Sequence, residues 1–277
     1  MISPQREQFW AELVLKLAAL SSLLILGFIL FYITWKGISS ISLSFLLENP
    51  SDMGRSGGIF SPIVSTFMLS FLCIFISTPM GVGTSIFLTE YTNESRINQI
   101  IRFGADCLSG IPSIIFGLFG FVLFVIKLNL GWCILSGALT MSFMILPTII
   151  RTAEEAIKAV PFELREASYS LGASKWQTIT RVVLPEAIPG IMTGIVLGIG
   201  RCIGETAVVI FTAGVALNTP TSFFDSARTM AVHFYIIARE GISTQKAYGT
   251  AFVLVIFVLI INFFTYFLMH RYIAKKR

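Results

Sequence analysis

The sequence predicts an all-α integral membrane protein with six transmembrane helices. Of its 277 residues, 55% are hydrophobic and only 13% are charged, which is about half the charged share of an ordinary soluble domain. The apolar residues fall into six runs, each long enough to cross the hydrocarbon core of a bilayer as a helix. This composition leaves little room for a separate soluble domain.

The net charge of +5 does not indicate a nucleic-acid partner. The basic residues are divided among short loops and form no patch, so membrane orientation explains them better. The four cysteines stand singly and show no metal-ligand spacing. The sequence therefore predicts no disulfide, no metal site and no cofactor. The cysteines are Cys73, Cys107, Cys133 and Cys202.

The first predicted span covers 13–35, with a single lysine near its start. It is too long for a signal-peptide core and no small-residue cleavage site follows, so we expect an uncleaved helix. Trp10 and Trp35 bracket it, where aromatic side chains favour the membrane interface. With the polar loop that follows, this helix forms the first predicted region, 1–58, in which the loop is external.

The second predicted region is a core of five transmembrane helices at 59–270. Its first span, 59–88, contains the run PMGVG, which predicts a kink or break that neighbouring helices must satisfy. The next span, 106–126, is rich in glycine and serine, and small residues let membrane helices approach closely.

Three further spans complete the core, and polar segments separate them. The segment at 214–246 is a longer polar excursion, and His233 within it has the pattern of an ordinary loop residue. A basic cytosolic tail at 271–277 is the third predicted region. The three spans are 132–150, 188–213 and 247–269.

The distribution of lysine and arginine predicts the orientation. With the amino terminus in the cytosol, the cytosolic segments hold thirteen of these residues and the outer segments hold six. Such a bias is the positive-inside pattern of multi-pass proteins. We therefore expect both termini, and the segment 151–185, in the cytosol.

The segment 163–185 has the pattern of a helix, a glycine turn and a second helix. Pro161 is suited to the first turn of a helix and Gly172 to the left-handed residue that ends one. Ser174 followed by Gln177 is a capping-box pattern that starts another helix. The polar composition places this helical hairpin outside the membrane.

An apolar stripe follows on the second helix. Its members lie at i, i+3, i+4 and i+7 and share one face. Such a stripe can dock in a groove of a partner or pack on its own protein, and the pattern alone favours the second interpretation. The stripe consists of Trp176, Ile179, Thr180 and Val183.

The same segment resembles the EAA loop of ABC-importer permeases. Glu166-Ala167-Ser168, then Gly172, then the run VVLP ending at Pro185 match it in register, with Ser168 in place of alanine and Val182 in place of isoleucine. The resemblance implies the MetI-like permease fold and a coupling helix that binds a cytosolic ATPase. The residues it assigns to this coupling are Glu166, Ala167, Gly172, Ala173, Trp176, Leu184 and Pro185.

Arg201 and Glu205 are charged residues inside the predicted span 188–213. An arginine at the centre of a span costs about 2.5–3.5 kcal/mol on translocon scales, so its presence needs a reason. Their i, i+4 spacing allows an ion pair whose only role is insertion of the span. Alternatively, Arg201 lines a substrate path and binds an anion through its planar fork of donors, with Glu205 holding the fork in place.

The run GIGRCIGETAVVIFTAG resembles the permeases of phosphate-specific ABC transporters, and GGIFSPIVST and EGISTQKAYGTA indicate the PstA type. The resemblance implies phosphate import across a bacterial or archaeal inner membrane. It also implies four partners: a PstC-like sister permease, two PstB-like cytosolic ATPase subunits and an external PstS-like phosphate-binding protein, with lipid around them.

Two alternatives remain at this stage. The first is a permease for another oxyanion, sulfate or molybdate. The second is an intramembrane enzyme acting on a phosphorylated lipid, although no nucleophile–base pair is visible in the sequence. Because the chain lacks a G-x-x-x-x-G-K-[ST] motif, we expect a transport subunit that has no ATPase site of its own.

Overall fold

The computed structural model describes residues 4–92 and 96–276, which are almost entirely helical. Twelve α-helices follow one another in the described ranges. Between α2 and α3, two strands of two residues each, β1 Pro50–Ser51 and β2 Ser56–Gly57, pair antiparallel. The helices are α1 Pro4–Ile38, α2 Leu43–Leu47, α3 Phe60–Ile86, α4 Arg96–Ser109, α5 Ser113–Gly120, α6 Ile134–Lys158, α7 Phe162–Ser170, α8 Lys175–Thr178, α9 Leu184–Gly204, α10 Ala207–Thr212, α11 Met230–Arg239 and α12 Thr244–Lys276.

Five helical stretches of the described chain are long and apolar enough to cross a membrane. A sixth crossing is formed if α4 and α5 count as one broken span. Three short π-helices extend the regular helices, at Phe87–Tyr91, Phe121–Lys127 and Ile179–Val183. The five stretches are Gln8–Ile38, Phe60–Tyr91, Ile134–Lys158, Lys175–Gly204 and Thr244–Phe267. The six-helix prediction therefore agrees with the fold, with one crossing bent.

The predicted third span, 106–126, is not one straight helix. Arg96–Ser109 and Ser113–Lys127 meet at an angle of 103°. The break falls at 110–112, where Pro112 has φ −58° and ψ 140° as the residue before α5. A proline disfavours helical geometry in the residue before it, and Gly110 adds further freedom. The sequence did not predict this turn, because a composition rich in small residues is equally typical of closely packed membrane helices.

The predicted break near Pro79 does not occur. A single helix, α3, runs through Pro79 to Ile86 and then passes into the π-helix Phe87–Tyr91. Pro79 has no N–H to donate, so one backbone bond is lost there, but packing against α6 keeps the helix continuous. Where the two helices meet, a Cβ on Gly81 would lie 2.6 Å from Ile149 Cγ2, so only glycine permits this approach.

The core of the molecule lies between α3, α6 and α9. Leu69 of α3 and Met141, Ile145 and Ile149 of α6 are at most 1% exposed. At Gly194 of α9 a Cβ would clash with the Thr152 side chain, so α9 also lies close to α6. By contrast, most of the α1 residues in the range 8–36 are exposed, and the helix packs on α12, where the Tyr32 and Tyr248 rings meet edge to face at 5.8 Å.

The segment predicted as a polar excursion, 214–246, contains a buried helix. In α11, Met230, Val232 and His233 are at most 1% exposed, so His233 is not a loop residue. Burial first, and then the charges of Arg228 and Lys246, lower the pKa of His233 to about 4. The imidazole is therefore neutral at physiological pH. A helix of ten residues gives too short an apolar pattern to be recognised within a polar segment, which explains why the prediction of a loop at His233 was wrong.

Candidate coupling loop and translocation path

The glycine turn of the predicted loop ends α7 as a Schellman motif. The Ala173 amide donates to the Ser168 carbonyl at 3.2 Å, and the Gly172 amide donates to the Tyr169 carbonyl at 2.9 Å. Gly172 has φ +81°, the left-handed conformation that the sequence predicted. A Cβ at Gly172 would meet no atom within 4 Å, so backbone conformation, rather than space, restricts this position.

The capping box predicted at Ser174 is confirmed. The Ser174 amide donates to Gln177 Oε1 at 2.8 Å, and the Gln177 amide donates to Ser174 Oγ at 3.3 Å. The helix that starts here continues through the π-helix Ile179–Val183 directly into α9. The second helix of the loop and the fifth span are therefore one continuous stretch, Lys175–Gly204, rather than a loop followed by a span.

The predicted apolar stripe divides between two environments. Ile179 and Val183 are fully buried, and Val183 packs in a cluster with residues of α6, while Trp176 is 59% exposed. Thr178, which the pattern placed on another face, is buried as well. The Thr178 hydroxyl lies 2.9 Å from that of Ser168, so contact with α7 turns this residue inward and leaves Trp176 outside. The stripe therefore packs in part on its own protein, and docking of the exposed tryptophan on a partner stays a prediction.

The residues that the resemblance assigned to coupling differ in exposure: some form an exposed tip of the loop, and the others are half-buried. Leu184 and Pro185 are half-buried at the start of α9, and Leu184 packs against the cluster formed by α6 and α9. Ala173 is half-buried in the turn. The exposed tip holds Glu166, Ala167, Gly172 and Trp176. These four are the ones available to a protein that approaches from outside.

Two large apolar residues at the tip were missed by the sequence analysis. Leu171 is 89% exposed and Phe162 is 63% exposed. Exposed apolar side chains on a polar helical hairpin are typical of a protein-binding surface. In the sequence, Phe162 directly follows Pro161 and Leu171 directly precedes Gly172, so each apolar residue lies next to a turn residue of the predicted hairpin.

Ser168 makes a buried bond that alanine could not make. Its hydroxyl lies 2.9 Å from that of Thr178, so α7 and α8 are joined directly across the glycine turn. This is the position where the chain departs from the alanine of the EAA pattern. The substitution therefore preserves the hairpin and adds a polar contact to it.

Arg201 lies in the last turn of α9 and is exposed. At 1.5 Å per residue it is about 22 Å along the helix from Glu186, which lies in the first turn. Arg201 therefore lies near the end of α9 that is remote from the 163–185 loop. The sequence predicted a position in the middle of the span. A cation in the last turn is favoured by the helix dipole.

The predicted i, i+4 pairing of Arg201 with Glu205 is not formed. In the described ranges Arg201 has no ion pair, because α9 ends at Gly204 and Glu205 adopts an extended conformation with ψ 133°. Glu205 Oε1 instead accepts a hydrogen bond from the Val208 amide at 3.4 Å, at the start of α10. Gly204 has the lowest helix propensity after proline, and the glutamate stabilises the new helix, so the chain breaks between the two charges.

The side of α9 that carries Arg201 is open. Leu197 is 54% exposed, and a Cβ on Gly200 or Gly204 would meet no atom within 4 Å. The opposite side packs on α3 and α6 through Gly198 and Cys202. Arginines within transmembrane segments usually face the interior of a bundle or a water-filled cavity, so this open side is suited to a water-filled path or to contact with another subunit. The guanidinium of Arg201 presents donors that suit the oxygens of an anion.

The family model for the binding-protein-dependent transport system inner membrane component matches residues 81–277. The chain is 37% identical over 247 residues to the probable ABC transporter permease protein YqgI of Bacillus subtilis, covering 83% of this chain and 84% of that one. It is 34% identical to the phosphate transport system permease protein PstA of Pasteurella multocida, covering 90% and 89%. It is 33% identical to PstA 1 of Mycobacterium tuberculosis strain H37Rv, covering 80% and 72%.

Solved structures show the same fold at lower identity. A chain of the MetNI methionine ABC transporter in an inward-facing conformation aligns with a TM-score of 0.64 at 18% identity, covering 75% of this chain and 93% of that one. A chain of a bacterial alginate ABC transporter aligns with a TM-score of 0.66 at 17% identity, covering 97% and 95%. The architecture is thus the MetI-like permease fold, and the chain belongs to the family of inner-membrane components of binding-protein-dependent transport systems.

Proposed function

We propose that this chain is the permease subunit that carries phosphate across the membrane in an ATP-driven importer. The observation that carries the proposal is the similarity to phosphate permeases of the PstA type, which extends over 80–90% of the chain at 33–34% identity. No comparable observation favours sulfate, molybdate or a lipid substrate.

The geometry of α9 supports an anion as the substrate. Arg201 is exposed on an open side of the helix and has no ion-pair partner among the described residues. Its planar guanidinium can donate two parallel hydrogen bonds to phosphate oxygens. Glu205 lies nearby in sequence but is engaged with α10, so its role in this proposal is to fix the end of the path.

The geometry of the 163–185 loop supports coupling to an ATPase. Its hairpin is held by a Schellman turn, a capping box and a buried hydroxyl pair, and it presents apolar side chains outward. A rigid hairpin with an exposed apolar tip is suited to insertion in a groove of another protein. The partners we propose are two PstB-like ATPase subunits on this side, a PstC-like sister permease, and a PstS-like phosphate-binding protein on the other side.

Affinity purification of the tagged chain from its native membrane tests the proposed assembly. We expect a protein with a P-loop motif and a second multi-pass permease to co-purify in stoichiometric amounts. After mild crosslinking in phosphate-starved cells, a phosphate-binding protein should join them. Isolation of the chain with none of these partners, under conditions that preserve other membrane complexes, contradicts the proposal.

We further propose that the loop and both termini lie in the cytosol. The excess of lysine and arginine on that side supports this orientation. The loop follows the carboxyl end of α6, whereas the segment around Asp225 contacts its amino end, where the Ile134 amide donates to the Asp225 carbonyl at 3.0 Å. The two ends are about 36 Å apart at 1.5 Å per residue, so they lie on opposite sides of a bilayer. Side chains of the tail at 272–277 lie outside the described residues.

Single cysteines at Glu155 and Phe224 test this orientation in a variant without the four native cysteines. Both side chains are exposed, near opposite ends of α6, and neither holds a turn. An impermeant maleimide added to intact cells or spheroplasts should label the Phe224→Cys variant and leave the Glu155→Cys variant unlabelled until the membrane is opened. Labelling of both from one side is incompatible with the proposed topology.

A further inference from the structure

One charged residue of the coupling loop faces inward. Arg165 is 9% exposed, although α7 is a polar helix whose neighbouring residues Leu164 and Glu166 are exposed. Burying a guanidinium is costly unless its donors are satisfied. The surroundings of Arg165 therefore show what the loop is attached to.

Part of the Arg165 guanidinium holds the end of α6. Its Nη1 donates to the Val160 carbonyl at 2.7 Å, and its Nη2 donates to the Ile157 carbonyl at 2.9 Å. A cation at the carboxyl end of a helix is favoured by the helix dipole. These bonds fix α7 against the helix from which it departs.

The rest of the guanidinium reaches a helix far away in the sequence. Its Nε and Nη2 donate to Glu90 Oε1 at 3.1 Å and 2.8 Å, and the two side chains are only 11% and 8% exposed. Glu90 lies in the π-helix Phe87–Tyr91, which ends the second span. A π-helix inside a regular helix is frequent at functional positions. Arg165 thus joins the coupling loop to two different spans.

A second contact from the loop reaches the same π-helix. The Lys175 ammonium, at the start of α8, lies 5.2 Å from the centre of the Tyr91 ring. Between these contacts a cleft of about 740 Å³ separates the loop from the π-helix, bordered by Thr89, Tyr169 and Lys158 among others. The loop and the second span therefore touch through side chains across an open cleft, rather than through a packed core.

The second span also contacts the helix turn that carries Arg201. Cys73 of α3 and Cys202 are both buried and belong to one hydrophobic cluster. Cys202 is the residue after Arg201. Cys73 and Glu90 are about 26 Å apart along the helix at 1.5 Å per residue. A continuous helix therefore connects the end that meets the loop to the turn that positions the arginine.

We propose that Arg165 and Glu90 are positioning residues that pass movement of the coupling loop to the second span, and through it to the Arg201 turn. This inference rests on the proposed coupling of the loop to an ATPase. A displaced loop pulls Glu90 because the guanidinium is bonded to the carboxylate on one side and to the loop backbone on the other. Without that bond, the ATPase still moves the loop, but α3 no longer follows.

Two substitutions at Glu90 test the inference with different severity. Glu90→Ala removes the link to α3 and leaves the bonds of Arg165 to Ile157 and Val160 in place. Glu90→Gln keeps an oxygen acceptor at the same position and removes only the charge. Lys158→Met is the matched control, because it deletes a nearby half-exposed ion pair while Glu154 remains paired with Arg102 at 2.7 Å.

The measurement uses the complete complex, purified through this chain and reconstituted in vesicles with radiolabelled inorganic phosphate. The quantity compared is the amount of phosphate transported per ATP hydrolysed. We expect this ratio to fall about tenfold in Glu90→Ala and about fivefold in Glu90→Gln, which are typical sizes of coupling effects, while ATPase subunits co-purify as before. The ratio of Lys158→Met should equal that of the unmodified chain.

A purely structural role of the ion pair predicts a different result. It lowers the yield of assembled complex and leaves the ratio per complex unchanged, and that outcome in Glu90→Gln overturns the inference. If Glu90→Ala does not assemble, the ratio of Glu90→Gln decides alone. Absence of phosphate transport by the unmodified complex contradicts the proposed function instead, so the two failures are distinguishable.

Discussion

Replacing Arg201 with leucine should abolish phosphate uptake while the complex still assembles. Arg201 has no ion-pair partner among the described residues, so its removal leaves no opposite charge unpaired in the membrane. The loss follows because charge-assisted bonds to the anion are worth about 1.5–3 kcal/mol each, which is about 10–100-fold in occupancy of the path. The measurement is uptake of labelled phosphate in cells lacking their native permease, with assembly checked by co-purification of the ATPase.

Three further variants separate the effects of charge and geometry at Arg201 and Glu205. Arg201→Lys keeps the charge and loses the planar fork, so uptake should fall about tenfold. Glu205→Gln keeps an oxygen at the position that accepts the Val208 amide and should change uptake little. The double variant Arg201→Leu with Glu205→Leu should fail like the single one. Robust uptake by the double variant shows that the two charges serve only the structure of the span.

Replacing Gly172 with valine should weaken association with the ATPase about tenfold and reduce transport in proportion. Gly172 has φ +81°, and a β-branched residue in that conformation costs about 1–3 kcal/mol. The space around it is open, so the effect arises from the backbone and not from a clash. The displaced tip then presents Leu171 and Trp176 in the wrong relation to each other. Co-purification of the ATPase with the tagged chain measures the effect.

Gly172→Asn is the matched control for this prediction. Asparagine adopts the left-handed conformation more readily than other residues with a side chain, so binding should stay close to that of the unmodified chain. Equal ATPase binding and transport by the valine and asparagine variants contradicts the role of this turn in coupling.

The coupling loop was predictable because its structure is set by neighbours in the sequence. The left-handed Gly172 and the box between Ser174 and Gln177 depend on residues at most a few positions apart. The predicted direction of the Trp176 stripe was partly wrong, because the buried contact between Ser168 and Thr178 turns Thr178 inward. Hydrophobic periodicity considers one helix at a time, so it does not detect a contact with a neighbouring helix.

Other features depend on contacts that no local pattern encodes. Arg165 and Glu90 are 75 positions apart, and each alone looks like an ordinary exposed charge of a cytosolic segment. The break between Arg201 and Glu205 results from competition between one helix and the start of the next, which side-chain spacing does not show. The burial of α11 likewise follows from packing of the segment at 213–243 onto the ends of the spans. The spans themselves were predicted well because their length and hydropathy are fixed by the bilayer.

The most direct test of the central proposal is transport by the complete complex in vesicles. Labelled phosphate is supplied with its external binding protein, ATP is enclosed on the loop side, and unlabelled sulfate or molybdate is added in excess as competitor. We predict ATP-dependent accumulation of phosphate that neither competitor lowers and that Arg201→Leu abolishes. Accumulation of sulfate or molybdate in preference to phosphate, or equal phosphate uptake by the Arg201→Leu complex, contradicts the account.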